Sequence, residues 1–300
     1  MRSTVPRLLA AASTTATLAV VMAGCGGGDS PGAAPDGKIA VVASTDVWGS
    51  VVSAVGGDQV SVTSIIHDPA ADPHSYETTP EDAVATMRAQ LTLANGDGYD
   101  DFFTKLTDQA PNARKLVAFD IAATGEDNEH VWYSFSAVDK VADQVATQLG
   151  QLKPADARTF TANANAFKEQ VDALAAKASQ IGAGHPGAKV LVTEPVPHYL
   201  LETAKLTDVT PKDFSQAVEN ETDVPPAALA AVNQLISGRQ IKAVLDNEQT
   251  VTPATTQVVN SAKSAGIAVV GVTETLPSGA TGYVSWMTGE VDSLAKAIDS

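Results

Sequence analysis

A single cysteine, Cys25, stands in a chain of 300 residues, so no intrachain disulfide can form and no thiolate-rich zinc site can be built. Basic residues are also few, 19 against 35 acidic ones, for a formal charge of −16. That balance argues against a nucleic-acid binder and against attachment to anionic lipid through a basic patch. The chain has no His-Glu-x-x-His, no Gly-x-Ser-x-Gly and no glycine-rich phosphate loop. The common signatures of zinc proteases, serine hydrolases and P-loop enzymes are therefore missing, and the sequence reads as a binding protein rather than an enzyme. A His-rich run is missing too; the five histidines are scattered. What remains is 44% hydrophobic and 18% charged, sufficient for sizeable cores. The length suits about two domains.

The first residues set the compartment. Arg2 and Arg7 flank the start of an apolar run over 8–22, and the first acidic residue is Asp29. This is the pattern of a secretory signal, with an apolar part too short for a comfortable membrane span. It ends in Met22-Ala23-Gly24-Cys25, which resembles a bacterial lipobox, with Met22 where Leu is more usual. The resemblance implies removal of residues 1–24 and lipidation of Cys25, leaving a protein anchored on the extracytoplasmic face of a bacterial cell membrane. The plainer alternative is an ordinary secreted protein with a stray cysteine. Residues 25–37, rich in Gly, Pro and Ala, read as a flexible tether.

Beyond the tether, short apolar runs alternate with helical patterns. Runs at 38–43, 60–66, 90–94, 115–119, 188–193, 241–245 and 267–272 read as buried strands. Segments 80–88, 102–108, 225–236 and 253–265 carry helical periodicity or helix-start signals, Thr79-Pro80-Glu81-Asp82 being the clearest. The alternation predicts right-handed crossovers and mostly parallel sheets. The midpoint differs. Phe160, Ala164, Phe167, Val171, Leu174, Ala178 and Ile181 form one apolar stripe on a helix. A helix over 154–181 is roughly 42 Å long, more than a small domain is wide. A coiled-coil dimer is the alternative, but with Ala at two seam positions the zipper is weak. The expected fold is α/β: two lobes, 38–153 and 183–300, with mostly parallel sheets, joined by one long helix over 154–182.

In parallel α/β lobes ligands bind beyond the carboxyl ends of the strands, so polar residues just after strands are the candidates. Asp72-Pro73-His74-Ser75-Tyr76-Glu77 follows the second run; Glu194 ends the run at 188–193; Glu274 lies two residues past 267–272; His130 closes the acidic loop 125–130. With these residues in view, the chain resembles the metal-receptor family of ABC-transporter substrate-binding lipoproteins, which capture zinc or manganese outside bacteria. The first of these segments is similar to the family signature D-P-H-x-Y-E-P-x-P, with Thr78 in place of a proline. Glu129-His130-Val131-Trp132 falls where the family has D-P-H-x-W. Val192-Thr193-Glu194 matches the segment of the third ligand, and Glu274 lies where an acidic fourth ligand, usually Asp, is expected. The resemblance implies a metal site in the inter-lobe cleft made by His74, His130, Glu194 and Glu274. It also implies delivery of the metal to an ABC permease and its ATPase, and it gives no reason to expect anything but a monomer.

The residue chemistry agrees. Two neutral imidazoles and two carboxylates can close a site on a divalent first-row metal. These donors are separated by more than fifty residues each, so only the fold can gather them. Binding across two lobes would stabilise a closed arrangement that a permease can recognise. Unperturbed imidazoles titrate near about 6.5, so affinity is expected to fall below that pH. Zinc or manganese is the expected cargo, and the donor set does not exclude iron. His198, four residues after Glu194, is the rival third ligand, and His67 a weaker reserve. His185 reads as solvated, Glu126, Asp127 and Glu129 as a solvated acidic loop, and Trp48, Trp132 and Trp286 as core or cleft-wall residues. Two other functions fit the same plan: a receptor for a metal chelate or small solute, and an extracytoplasmic metalloenzyme. The first would call for Arg or aromatic groups after the strands, the second for an open coordination position beside a general base.

Overall fold

The run IAVVAST is too apolar to be left uncovered on either face, and it becomes the buried strand β1 (Ile39–Thr45). It is seen in a computed structural model that describes Met1, residues 37–71 and residues 73–300. Cys25, the apolar run before it, the tether up to residue 36 and Asp72 lie outside the described residues. β1 pairs in parallel with β2 (Val60–Ile66) on one side and β3 (Leu91–Ala94) on the other. β4 (Arg114–Val117) completes a sheet of order β2-β1-β3-β4. The second half repeats the plan. β5 (Lys189–Val192), β6 (Thr207–Asp208), β7 (Ala243–Asn247) and β8 (Ala268–Val272) make a parallel sheet of order β6-β5-β7-β8. Strand order reverses between β1 and β3, and again between β5 and β7. Crevices therefore open beyond the carboxyl ends of those strands.

The connections are helices: α1 (Asp46–Gly56), α2 (Pro80–Arg88), α3 (Asp101–Thr107) and α4 (Ala118–Ala122) serve the first sheet. α7 (His198–Thr203), α8 (Lys212–Glu219), α9 (Pro226–Ser237) and α10 (Pro253–Ala265) serve the second. α2 starts where its sequence predicts. Thr79 Oγ1 accepts from the amide of Asp82 at 3.3 Å, and the Asp82 carboxylate accepts from the amide of Thr79 at 2.7 Å. Thr252 and Thr255 repeat the device at α10. α1, α4, α7, α8, β6 and the last helix α11 (Tyr283–Asp299) were not anticipated, and Ala118 and Phe119, read as strand, begin α4. α8 is two turns long and β6 only two residues, too short for periodicity to emerge.

The long helix is α6 (Ala157–Gly184), entered through a 3₁₀ turn at Pro154–Asp156. Its predicted stripe is its buried face: all seven residues from Phe160 to Ile181 are buried. They pack on α1, α5 (Phe135–Leu152) and α11. One continuous apolar core contains this stripe together with Val41 and Leu93 of the first sheet and Val190 and Leu245 of the second. Buried tyrosines tie the halves further. Tyr133 donates to the carbonyl of Thr273 at 2.8 Å, and Tyr283 to the carbonyl of Trp132 at 2.7 Å. Such a shared core leaves the lobes little freedom to turn as separate bodies.

α6 continues past Gly182, where the sequence suggests a stop, because that glycine lets the helix approach α7. A Cβ there would overlap the carbonyl oxygen of Ala204, whereas one at Gly184 would meet open space. Gly182→Ala is expected to cost about 1–3 kcal/mol through overpacking. Gly184→Ala is expected to be neutral or to stabilise by up to about 1 kcal/mol. Denaturant midpoints of the two variants check the contrast.

Candidate metal centre

His130 sits in the loop between α4 and α5, followed by a 3₁₀ turn at Val131–Tyr133. Its side chain is fully buried. Asn128 Oδ1 accepts from the His130 amide at 3.0 Å and lies 3.1 Å from its ring Nδ1. The Asn128 amide nitrogen donates to the carbonyl of Pro195 at 3.2 Å, so the oxygen is the end that faces the ring. An amide oxygen can only accept, which puts the imidazole proton on Nδ1 and leaves a lone pair on Nε2. Burial, with His74 and His198 nearby, holds His130 well below the usual histidine range, so the ring is neutral. Its Nε2 is buried with no hydrogen-bond partner.

His74 lies in a 3₁₀ turn at Pro73–Ser75, in the loop after β2, with its ring edge against Tyr99 at 5.1 Å between centroids. Trp132 stands edge-to-face with His130 at 5.2 Å, and Tyr99 contacts both Trp132 and His130. An aromatic wall therefore orients the two imidazoles, and of its members Tyr99 was not anticipated. From the other half, Glu274 lies two residues past β8 and is 2% exposed. Asn247 Nδ2 donates to its Oε1 at 2.8 Å, and its amide donates to Gln249 Oε1 at 2.5 Å. Its other oxygen, Oε2, faces His74 Nε2 at 3.8 Å, across the gap between the two sheets. Glu194, two residues past β5, is also buried.

The sequence reading missed Glu219. The last residue of α8, it places Oε1 3.5 Å from His130 Nε2 and 3.9 Å from His74 Nε2. Burial, and then the charges of Glu129, Glu194 and Glu274, push its carboxyl up to about 10. Among the described residues, four ligand-bearing side chains, His74, Glu129, His130 and Glu219, place ligand atoms within 4.8 Å of one another. Glu274 touches that set through His74, and the charge of Glu194 is felt at Glu219. Glu129 was read as part of a solvated loop. It is instead half-buried, because Asn95 Nδ2 donates to its carbonyl at 2.9 Å and draws the loop inward. No sequence signal marked Glu219, because α8, whose last turn carries it, is too short for its periodicity to be read.

The two reserve histidines lie elsewhere. His67 is exposed, its Nδ1 3.1 Å from the carbonyl of Ile65. His198 begins α7 and pairs with Glu126 Oε2 at 2.6 Å, forming with Glu202 a second, more exposed grouping. His185, expected to be solvated, pairs at the surface with Asp299 at 2.7 Å. Trp48, Trp132 and Trp286 are all buried.

Fold and site together define a two-lobed α/β protein with imidazole and carboxylate donors gathered between its sheets. The chain belongs to the ZnuA family, zinc-uptake complex component A, periplasmic, whose model matches residues 41–297. It is similar to the metal ABC transporter substrate-binding lipoprotein ScbA of Streptococcus cristatus, 28% identical over 192 residues, 58% of this chain and 61% of the relative. The match thus spans about three-fifths of that relative's length. It is also similar to the manganese ABC transporter substrate-binding lipoprotein ScaA of Streptococcus gordonii, 24% identical over 76% of this chain and 74% of the relative. Among solved structures, the periplasmic zinc binding protein TroA from Treponema pallidum shares the fold. It has a TM-score of 0.71 at 18% identity, covering 87% of this chain and 99% of the other. Among the described residues no helix is long and apolar enough to cross a membrane.

Proposed function

We propose that this protein captures a divalent transition metal, zinc or manganese, outside the bacterial cell and delivers it to an ABC permease driven by its ATPase. In this reading His74, His130, Glu194 and Glu274 bind the ion between lobes 38–153 and 183–300, with the helix over 154–182 as their common support. Cys25 carries the lipid that holds the receptor on the outer face of the cell membrane, and the protein acts as a monomer. The reading is of capture without turnover. The observation that carries it is the meeting of an imidazole from one half with a carboxylate from the other, His74 Nε2 and Glu274 Oε2 at 3.8 Å. A neutral, buried, unpartnered His130 Nε2 lies beside them. Donor atoms about 2.1 Å from one ion stand roughly 3–3.5 Å apart, so a modest contraction brings His74 and Glu274 to coordinating distance. Both relatives described above are named as metal-transport lipoproteins, which supports the same reading.

Purified protein is expected to hold, or take up on reconstitution, about one transition-metal ion per chain. Elemental analysis that finds no metal before or after loading would overturn the proposal. The ligand assignment predicts that His74→Ala weakens binding far more than His67→Ala, and Glu194→Ala more than His198→Ala. Calorimetric titrations that reverse either order would move the site.

A further inference from the structure

We propose that Glu219 is a fifth protein donor to the captured ion and tilts the receptor toward six-coordinate, oxygen-preferring ions such as Mn²⁺ over four-coordinate Zn²⁺. This rests on the metal-capture reading above and adds to it a residue that neither the sequence motifs nor the strand-end pattern indicates.

The position argues first. Glu219 Oε1 stands 3.5 Å from His130 Nε2 and 3.9 Å from His74 Nε2, so one oxygen faces both imidazole donors. The facing His130 ring is fully buried, and its Nε2 makes no hydrogen bond. Glu219 Oε1 is itself buried without a hydrogen-bond partner. Two such atoms turned on each other represent a standing cost in the metal-free protein, and an ion between them removes it from both.

The scaffold makes no demand for an acid here. α8 is anchored by Phe214, Ala217 and Val218, which are buried. The carboxylate occupies the carboxyl end of the helix, where the dipole opposes negative charge. It also joins Glu129, Glu194 and Glu274, so charge repulsion opposes it as well. Among the described residues, its ion-pair partners are the two imidazoles. Burial, the helix dipole and the neighbouring acids all oppose an ionised carboxylate at this place, and a cation held between it and the imidazoles would offset all three.

Donor number then decides selectivity. Two imidazoles and two carboxylates, each giving one oxygen, complete the four-point shell that zinc prefers. A third carboxylate adds one or two oxygens, more than a tetrahedral ion can use. An octahedral ion uses them, and carboxylate oxygen suits manganese. Because raw affinity at nitrogen-containing sites favours zinc over manganese, an added carboxylate narrows that gap.

The test compares Mn²⁺ and Zn²⁺ binding to the metal-stripped protein by competition against a chelating indicator, in wild type, Glu219→Gln, Glu219→Asp and His130→Ala. Glu219→Gln keeps the side-chain shape and replaces a buried carboxyl by a neutral amide, so the fold is retained; thermal melts verify this. The expected result is a loss of Mn²⁺ affinity of roughly 30-fold or more with Zn²⁺ changed less than about 3-fold, and partial recovery in Glu219→Asp. An unchanged Mn²⁺/Zn²⁺ ratio in Glu219→Gln, with His130→Ala binding neither ion, would overturn this inference and leave metal capture standing. If His130→Ala binds both ions like wild type, the capture reading falls, and this inference with it.

Discussion

His130→Ala is expected to abolish measurable metal binding while leaving the fold in place. The ring is the most deeply buried donor of the set, its tautomer is fixed by Asn128, and its lone pair is directed at the gap. Being neutral already, it need lose no proton when the ion arrives. Its low affinity for protons also means that the acid limit on binding lies below the ordinary histidine range for this ligand. Removing it should weaken binding at least a hundredfold, about 2.7 kcal/mol or more. The metal-free fold should tolerate the change, because Asn128 Oδ1 keeps the His130 backbone amide as a donor. Melting curves provide the check. At a free metal concentration near 100 times the dissociation constant, wild type gains about 2.7 kcal/mol of stability. The variant should gain no more than about 0.4 kcal/mol. A variant whose melting temperature rises with metal as much as that of wild type would show that His130 is not a ligand.

Glu290→Gln is expected to stabilise the protein increasingly as pH rises from 5 to 8.5. Glu290 lies on α11, 7% exposed, with Trp286 Nε1 donating to its Oε1 at 3.1 Å. Burial raises its carboxyl to about 8, partly offset by the Trp286 hydrogen bond. The sign follows from linkage. Between the unfolded value near about 4.5 and the folded value near 8, the folded chain holds a proton that the unfolded chain has released. Stability is therefore lost as pH rises through that window, at most about 1.4 kcal/mol per pH unit and several kcal/mol in all. Gln keeps an oxygen for Trp286 and does not titrate. Denaturant midpoints of the two proteins should be close at pH 5 and well separated at pH 8.5. A difference independent of pH would sink the argument.

Legibility in the sequence tracked the length over which a signal could accumulate. The strand at 60–66 and the helices at 80–88 and 253–265 have the ends the sequence predicts, because proline, a capping threonine or a long apolar run marks them. The stripe of α6 was readable because the same face recurs over about six turns. His74 and His130 stand out through their flanking residues, and Glu274 through its place after a strand. Glu219 did not stand out. Its helix is eight residues long, and it looks like an ordinary acid beside Glu221. What makes it unusual is the company of His74 and His130, more than eighty residues earlier in the chain, and only the folded structure brings them together. Glu129 was misplaced for a related reason: the contact with Asn95 that pulls its loop inward is not local.

The central claim is that donors from both halves of the chain meet around one ion. Crystals grown with Mn²⁺ and measured at the manganese absorption edge test it most directly. The account predicts a single anomalous peak about 2.2 Å from His130 Nε2, within coordinating reach of His74 and Glu274. A peak confined to the surface grouping of Glu126, His198 and Glu202, with the space beside His130 empty, would contradict it.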